Sequence, residues 1–184
     1  MRVIAGEFRG RKLQSLPGNH TRPTSDKIKG ALFNMIGPFF EGGRGLDLFA
    51  GTGSLGIEAL SRGMEYVVFV DSHRPAVQLI RTNLKTLGLT GKSEVRLLDA
   101  QTALAQFCSE GRQFDVVFLD PPYRLEAAPL NWMQEAGIER LLSPDAVVVL
   151  EHDAKVYVPE QAQLLKKVKQ RRYGNTTLTI YQRT

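Results

Sequence analysis

The residues best suited to chemistry are Asp120-Pro121-Pro122-Tyr123. They follow the apolar run Phe114 to Leu119 (FDVVFL), which reads as a buried parallel strand. Two successive prolines lack backbone N–H groups and have a fixed φ, so they end that strand. The result is a stiff elbow that holds a carboxylate and an aromatic ring at the carboxyl end of a sheet. Open α/β sheets bind ligands there. Asp120 and the carbonyls freed by the elbow form a cluster of hydrogen-bond acceptors. A flat molecule bearing an amino group matches it, with NH2 on the acceptors and its ring face on Tyr123. The same tetrad would serve equally as a strand-end turn with a capping aspartate, so the elbow alone leaves both readings open.

A second constellation precedes it. Asp47-Leu48-Phe49-Ala50-Gly51-Thr52-Gly53-Ser54-Leu55-Gly56 runs from a predicted strand into a predicted helix. Gly51, Gly53 and Gly56 meet the G-x-G-x-x-G spacing, which lets a ligand approach backbone at a helix N-terminus. Asp71, followed by Ser72, ends the next strand twenty residues after Gly51. A carboxylate there accepts hydrogen bonds from a ribose diol, so loop and acid together read as a site for an adenosine-like cofactor. NAD and S-adenosylmethionine both contain adenosine. Asp47, beside the loop, would repel a pyrophosphate and attract an ammonium or a sulfonium. Asp99-Ala100, after the third strand, adds an acid placed to accept from an adenine amino group. Three acids around one pocket (Asp47, Asp71, Asp99) favour the cationic cofactor, S-adenosylmethionine. The candidate cofactor contacts are Asp47, Phe49, Ala50, Gly51, Thr52, Gly53, Gly56, Asp71, Ser72, Asp99 and Ala100. An NAD-dependent oxidoreductase would also need a hydride-transfer acid, and no placed His or Tyr-Lys pair supplies one.

These groups need a frame to position them. From Arg44 the chain alternates apolar strand patterns (45–49, 66–70, 94–98, 114–119, 146–151) with helical ones (54–61, 75–87, 102–107, 130–142). Such alternation predicts an α/β fold, a parallel sheet covered by helices on both faces. After residue 163, Leu164 to Arg172 and Thr176 to Gln182 flank Gly174-Asn175 and predict a β-hairpin that closes the sheet with an antiparallel edge. Residues 2–14 predict two short strands around Arg9-Gly10, and Ser15 to Arg22 a loop. Residues 25–36 predict a helix capped by Thr24 or Ser25, with Ile28, Ala31, Leu32, Met35 and Ile36 inward and Lys27 and Lys29 on its surface. The expected division is an N-terminal extension, 1–40, and a catalytic domain, 41–184.

At 184 residues the chain has room for a full core, and no apolar run approaches a membrane span. Met1-Arg2-Val3 does not open a signal peptide. The single cysteine, Cys108, excludes an internal disulfide and reads as helix packing in a cytoplasmic protein. His20, His73 and His152 lack metal spacing, and Trp132 reads as core. Charge is uneven. Residues 1–30 hold seven Lys/Arg against two acids, and residues 165–184 hold six against none. The intervening stretch is net acidic. Two basic ends on an acidic core call for a polyanion such as RNA. The candidate contacts are Arg2, Arg9, Arg11, Lys12 and Arg22 at one end, and Lys169, Arg171 and Arg172, with Lys166 and Lys167, at the other.

Taken together, the chain resembles the RsmD-like small-subunit (16S) ribosomal RNA guanine-N2 methyltransferases, a family of Rossmann-like S-adenosylmethionine-dependent enzymes. The stretches that carry the resemblance are RVIAGEFRGRKL, RPTSDKIKGALFNMI, DLFAGTGSLGIEALSRG, FVDSH, DPPY and RRYGNTTLTIY. The resemblance implies methyl transfer to the exocyclic N2 amine of one guanine in 16S rRNA, presented in an assembled or partly assembled small subunit. It implies Asp120, Pro121, Pro122 and Tyr123 as the catalytic tetrad, and a monomer is expected. The tetrad alone is shared with enzymes that methylate adenine, cytosine or glutamine amino groups. An amino-methyltransferase on DNA, RNA or a protein glutamine is therefore the alternative, and a non-catalytic RNA-binding assembly factor is another.

Overall fold

The computed structural model describes residues 1–18, 25–122, 124, 125 and 128–184. The parallel strands are β1 (Arg44–Asp47), β2 (Tyr66–Asp71), β3 (Ser93–Leu97), β4 (Phe114–Leu119) and β5 (Leu142–Asp153). The chain then turns through β6 (Gln161–Ala162), β7 (Leu165–Tyr173) and β8 (Thr176–Arg183), all antiparallel. Among the described residues they form one eight-stranded sheet in the order β3-β2-β1-β4-β5-β8-β7-β6. The order reverses between β1 and β4, and the crevice at their carboxyl ends is where such sheets take ligands.

The strand sequences are apolar on both faces because both faces are covered. Val67, Phe69, Val116 and Phe118 pack with helices α1 (Asp26–Ile36), α2 (Ser54–Ser61) and α3 (Arg74–Thr86). Val68, Val70, Val117 and Leu119 pack with α4 (Ala100–Ser109), α5 (Ala128–Ala136) and α6 (Ile138–Leu141). No helix among the described residues is long and apolar enough to cross a membrane.

Three expectations change. Residues 2–14 form no two-stranded ladder, only a single antiparallel bridge between Arg2 and Lys12. Val3, Gly10 and Leu13 N–H do bond across the pair, to Arg11 O, Val3 O and Met1 O, but other donors of the segment go to α2. Ile4 and Ala5 N–H bond the Glu58 carboxylate at 2.9 and 3.1 Å, and Phe8 N–H bonds Ser61 Oγ at 3.0 Å. The helix expected over 130–142 is two helices, α5 and α6, separated at Gly137 (φ 93°), a backbone conformation that glycine adopts without steric cost. Residue 142 already belongs to β5. Finally, α1 starts as expected, with Ser25 Oγ accepting from Ile28 N–H at 3.2 Å, but Lys29 points inward and is fully buried.

Candidate active site

A cavity of about 830 Å3 opens at the carboxyl ends of β1 and β4. Its wall contains Asp47, Gly51, Asp71, Asp99, Asp120 and Pro121. The glycine loop and the D-P-P elbow, 70 residues apart in sequence, thus face one space. Adjacent parallel strands account for this, since Asp47 is in register with Phe118.

The three acids are held differently. Asp71 accepts from Gly51 N–H (2.8 Å) through one oxygen and from His73 N–H (2.8 Å) through the other. It therefore fixes the glycine loop as well as bordering the cavity. Asp99 is the N-cap of α4 and accepts from the Thr102 N–H (2.9 Å) and hydroxyl (2.7 Å). Those bonds hold its carboxyl below the usual range. Asp47 is buried and accepts from Gly56 N–H at 3.0 Å. Burial pushes its carboxyl up to about 7; the Gly56 bond opposes the rise, and the charge on Asp71 adds to it.

Phe49, Ala50, Thr52, Ser72 and Ala100 also line the cavity, whereas Gly53 and Gly56 lie outside its wall. Gly53 N-caps α2, and a Cβ on Gly56 would sit 2.3 Å from the Phe69 ring. Gly56 is thus required for α2 to lie close on β2, which also brings its N–H to Asp47. At the elbow Asp120 is half-buried and Pro121 buried. Pro122 O accepts from Leu125 N–H at 2.9 Å. Tyr123 lies outside the described residues.

Known proteins resemble the chain over its whole length. The family model described as "Conserved hypothetical protein 95" matches residues 1–182. The chain is 46% identical over 185 aligned positions to the "Putative rRNA methyltransferase YlbH" of Bacillus subtilis, covering 100% of this chain and 99% of that protein. It is 32% identical to the "Ribosomal RNA small subunit methyltransferase D" of Escherichia coli K12, covering 100% and 90%. The solved structure titled "Putative methyltransferase yhhF from Escherichia coli" superposes with a TM-score of 0.86 at 32% identity, covering 100% of this chain and 97% of that one. The chain belongs to this family.

Other residues line the cavity as well, among them Glu151, His152 and Asp153, whose place at a strand end near the active edge was legible in the sequence. Met1, Ile28 and residues 173–176 of the hairpin all reach its wall. Trp132, expected in the core, packs against core side chains and also lines the cavity. His152 lines it too, with Nδ1 2.8 Å from Asp153 O and Nε2 2.8 Å from Thr179 Oγ1. A carbonyl only accepts, so Nδ1 carries the proton in that bond. His73 is exposed at the N-cap position of α3, and Cys108 is half-buried against the core. Among the described residues no group of His, Cys, Asp and Glu could hold a metal ion.

The largest feature missed is a buried charge cluster behind the loop. Lys29 Nζ donates to Arg2 O (2.6 Å) and Ser54 Oγ (2.9 Å) and lies 3.5 Å from Glu58. Glu58 also binds Arg62 Nε at 2.8 Å, and the Arg62 guanidinium lies over the Phe33 ring. The i, i+4 spacing of Glu58 and Arg62 was a visible signal for that pair; nothing local marked Lys29.

The basic residues divide. Arg9, Arg11, Lys12, Arg171 and Lys166 are exposed. Arg2 pairs with Asp26 at 3.3 Å, Lys167 pairs with Glu160, and Arg172 Nε donates to Gly174 O at 2.7 Å. Lys169 Nζ donates to Met35 O at 2.8 Å, which brings the C-terminal hairpin onto α1. Arg22 and His20 fall outside the described residues.

Proposed function

We propose that this protein is an S-adenosylmethionine-dependent methyltransferase acting on the exocyclic N2 amine of a guanine in 16S ribosomal RNA. The observation that carries the reading is that the acid-rich glycine loop and the D-P-P elbow border one cavity. The relatives' names support RNA as the substrate, and the two basic ends supply a surface for it.

The residues present fit the cofactor. Asp47 is a buried carboxylate that no Lys or Arg pairs with among the described residues. Its raised carboxyl is the response of an acid that lacks a cation. An ammonium or sulfonium nearby would restore its charge. Asp71, pinned by Gly51 N–H, offers its second lone pairs to a ribose diol. Asp99, Ala100 and Leu98 border the place for a purine edge. When bound, the cofactor supplies an electrophilic methyl group.

An aromatic amine is a weak nucleophile because its lone pair is delocalised into the ring. Asp120 addresses this by accepting an N–H of the amine, which orients the lone pair and takes up developing positive charge. The amine proton passes to Asp120 or to water. Pro121 and Pro122 fix the carboxylate against rotation of the backbone, and Tyr123 stacks on the base, a contact worth about 1–3 kcal/mol. A paired guanine must first leave its stack. Residues 1–40 act as an RNA-binding extension of the domain formed by 41–184.

The test is Asp120→Asn, assayed with labelled cofactor on small ribosomal subunits, free rRNA, DNA and protein. Methyl transfer to small-subunit rRNA should fall by about a thousandfold or more, the cost of a misplaced transition-state group. Cofactor affinity measured by calorimetry should stay within about threefold. Near-normal turnover by the variant would refute the role of Asp120. Incorporation by the wild type into DNA or protein alone would refute the substrate.

A further inference from the structure

The basic C-terminal hairpin meets α1 in a second depression, a groove of about 500 Å3 between α1 and β7. Asn34 and Met35 line it from the helix, and Lys169 and Arg171 from the strand. Tyr173 lines both this groove and the large cavity. The helix makes the same connection. Ser25 and Ile28 border the cavity, and Ala31 and Asn34 border the groove. From Ile28 to Asn34 the helix rises about 9 Å. On β7, Lys169, Arg171 and Tyr173 alternate onto one face. The two depressions therefore adjoin at Tyr173 and along α1.

The groove's chemistry is that of a phosphate with a base beside it. Lys169 donates one N–H to the Met35 carbonyl at the end of α1, where a cation also compensates the helix dipole. That bond holds the ammonium in place and leaves two N–H groups for an anion. Arg171 is exposed and presents the planar fork that suits a phosphate. Asn34, also exposed, offers both a donor and an acceptor to a base edge. No Asp or Glu among the described residues lines the groove. An acidic peptide would satisfy the cations but would make no use of Asn34, of Tyr173, or of continuity with a cavity built for a flat amine.

We propose that the groove between α1 and β7 is a subsite for a nucleotide flanking the target guanine in the same RNA strand. Its phosphate lies on Lys169 and Arg171 and its base edge on Asn34. This rests on the RNA methyltransferase reading above. The subsite sets the register of the strand, so that the target base is presented to Asp120.

The test compares the full-length wild type with Arg171→Glu, Asn34→Ala and a control, Lys85→Glu, an exposed residue of α3 that borders neither depression. One arm measures binding of a fluorescent single-stranded oligoribonucleotide over a salt series. The other measures methyl transfer to small-subunit rRNA. Arg171→Glu should weaken oligonucleotide binding about tenfold or more at low salt and reduce the slope of log K against log salt by about one. It should raise KM for rRNA while leaving kcat and cofactor affinity in place. Asn34→Ala should raise KM a few-fold with the slope unchanged, and Lys85→Glu should change neither. Equal effects of Arg171→Glu and Lys85→Glu, or no effect of either, would overturn the subsite. So would loss of binding to a small-subunit protein with oligonucleotide binding intact. If the wild type methylates no RNA, the proposed function fails, and the binding arm still decides the groove by the same comparison.

Discussion

Glu58 and Asp47 are both buried carboxylates within one strand–loop–helix unit, and the fold treats them in opposite ways. Glu58 is 0% exposed, accepts from Ile4 and Ala5 N–H, and is paired with Arg62 and Lys29. Asp47 is 1% exposed and accepts from Gly56 N–H, with the Asp71 charge nearby. Taking a carboxylate out of water costs several kcal/mol, and only opposite charges and donors offset it. Around Glu58 that offset is built into the chain. Around Asp47 it is not, and the carboxyl is raised to about 7. The Lys29 ammonium shows the same balance from the other side: burial lowers it, while Glu58 works against the fall. A buried acid that the protein itself completes is structural. One left incomplete on a cavity wall is poised for a ligand that brings the missing charge.

The comparison is broken most directly at Glu58. Glu58→Ala would leave Lys29 and Arg62 buried without their partner and two N-terminal N–H groups without an acceptor. Removing one member of a buried pair costs about 3–5 kcal/mol. Urea unfolding should show that loss, and proteolysis should cut residues 1–14 first, since Glu58 holds them to α2. A loss below about 1 kcal/mol would mean that Glu58 is no better supported than Asp47.

Why the two acids were not equally visible from sequence follows from the same physics. Asp47, Asp71, the glycine loop and the D-P-P elbow sit at strand ends, and strand ends are marked by local changes of residue type. The sheet was legible for a similar reason: FDVVFL and YVVFV are apolar on both faces because helices cover both. Lys29 was assigned to the surface because helical periodicity records where apolar residues fall, and a lysine is buried only when distant partners receive it. Those partners, Glu58 and the Arg2 carbonyl, are remote in sequence or belong to backbone. The N-terminal pair is shorter than expected likewise, because its donors are divided: Val3, Gly10 and Leu13 N–H bond across it, whereas Ile4, Ala5 and Phe8 N–H go to α2. Gly137 was read as interior to a helix, yet its position between Ala136 and Ile138 is where α5 gives way to α6. The groove between α1 and β7 joins segments more than 130 residues apart, which the Lys169–Met35 bond spans.

A second test exchanges charge for shape at the other acid. Asp47→Asn keeps an oxygen for the Gly56 N–H and removes the ionisable group. The proposed cofactor loses a charged partner, worth about 1.5–3 kcal/mol, so its affinity should fall roughly ten- to a hundredfold by calorimetry. Folding stability at pH 8 should stay level or rise. A destabilisation like that of Glu58→Ala would place Asp47 with the structural acids and end the distinction.

The finest test uses pH. An unperturbed aspartate titrates near 3.8, and Asp47 in the folded protein near 7. Between those values the folded state holds a proton that the unfolded state has released. Stability from this group therefore falls as pH rises from about 4 to 7, then levels off, at about 1.4 kcal/mol per unit of pKa difference. Asp47→Asn lacks the group, so its stability relative to wild type should climb across that window and plateau above it. A cation beside Asp47 reverses the burial penalty and expels the proton. Cofactor binding below about pH 7 should then release protons in the wild type and fewer in Asp47→Asn. Calorimetry in two buffers of different ionisation enthalpy measures the difference. Equal proton release from both proteins would show that the cofactor's charge is met elsewhere, and Asp47 would keep only its bond to Gly56.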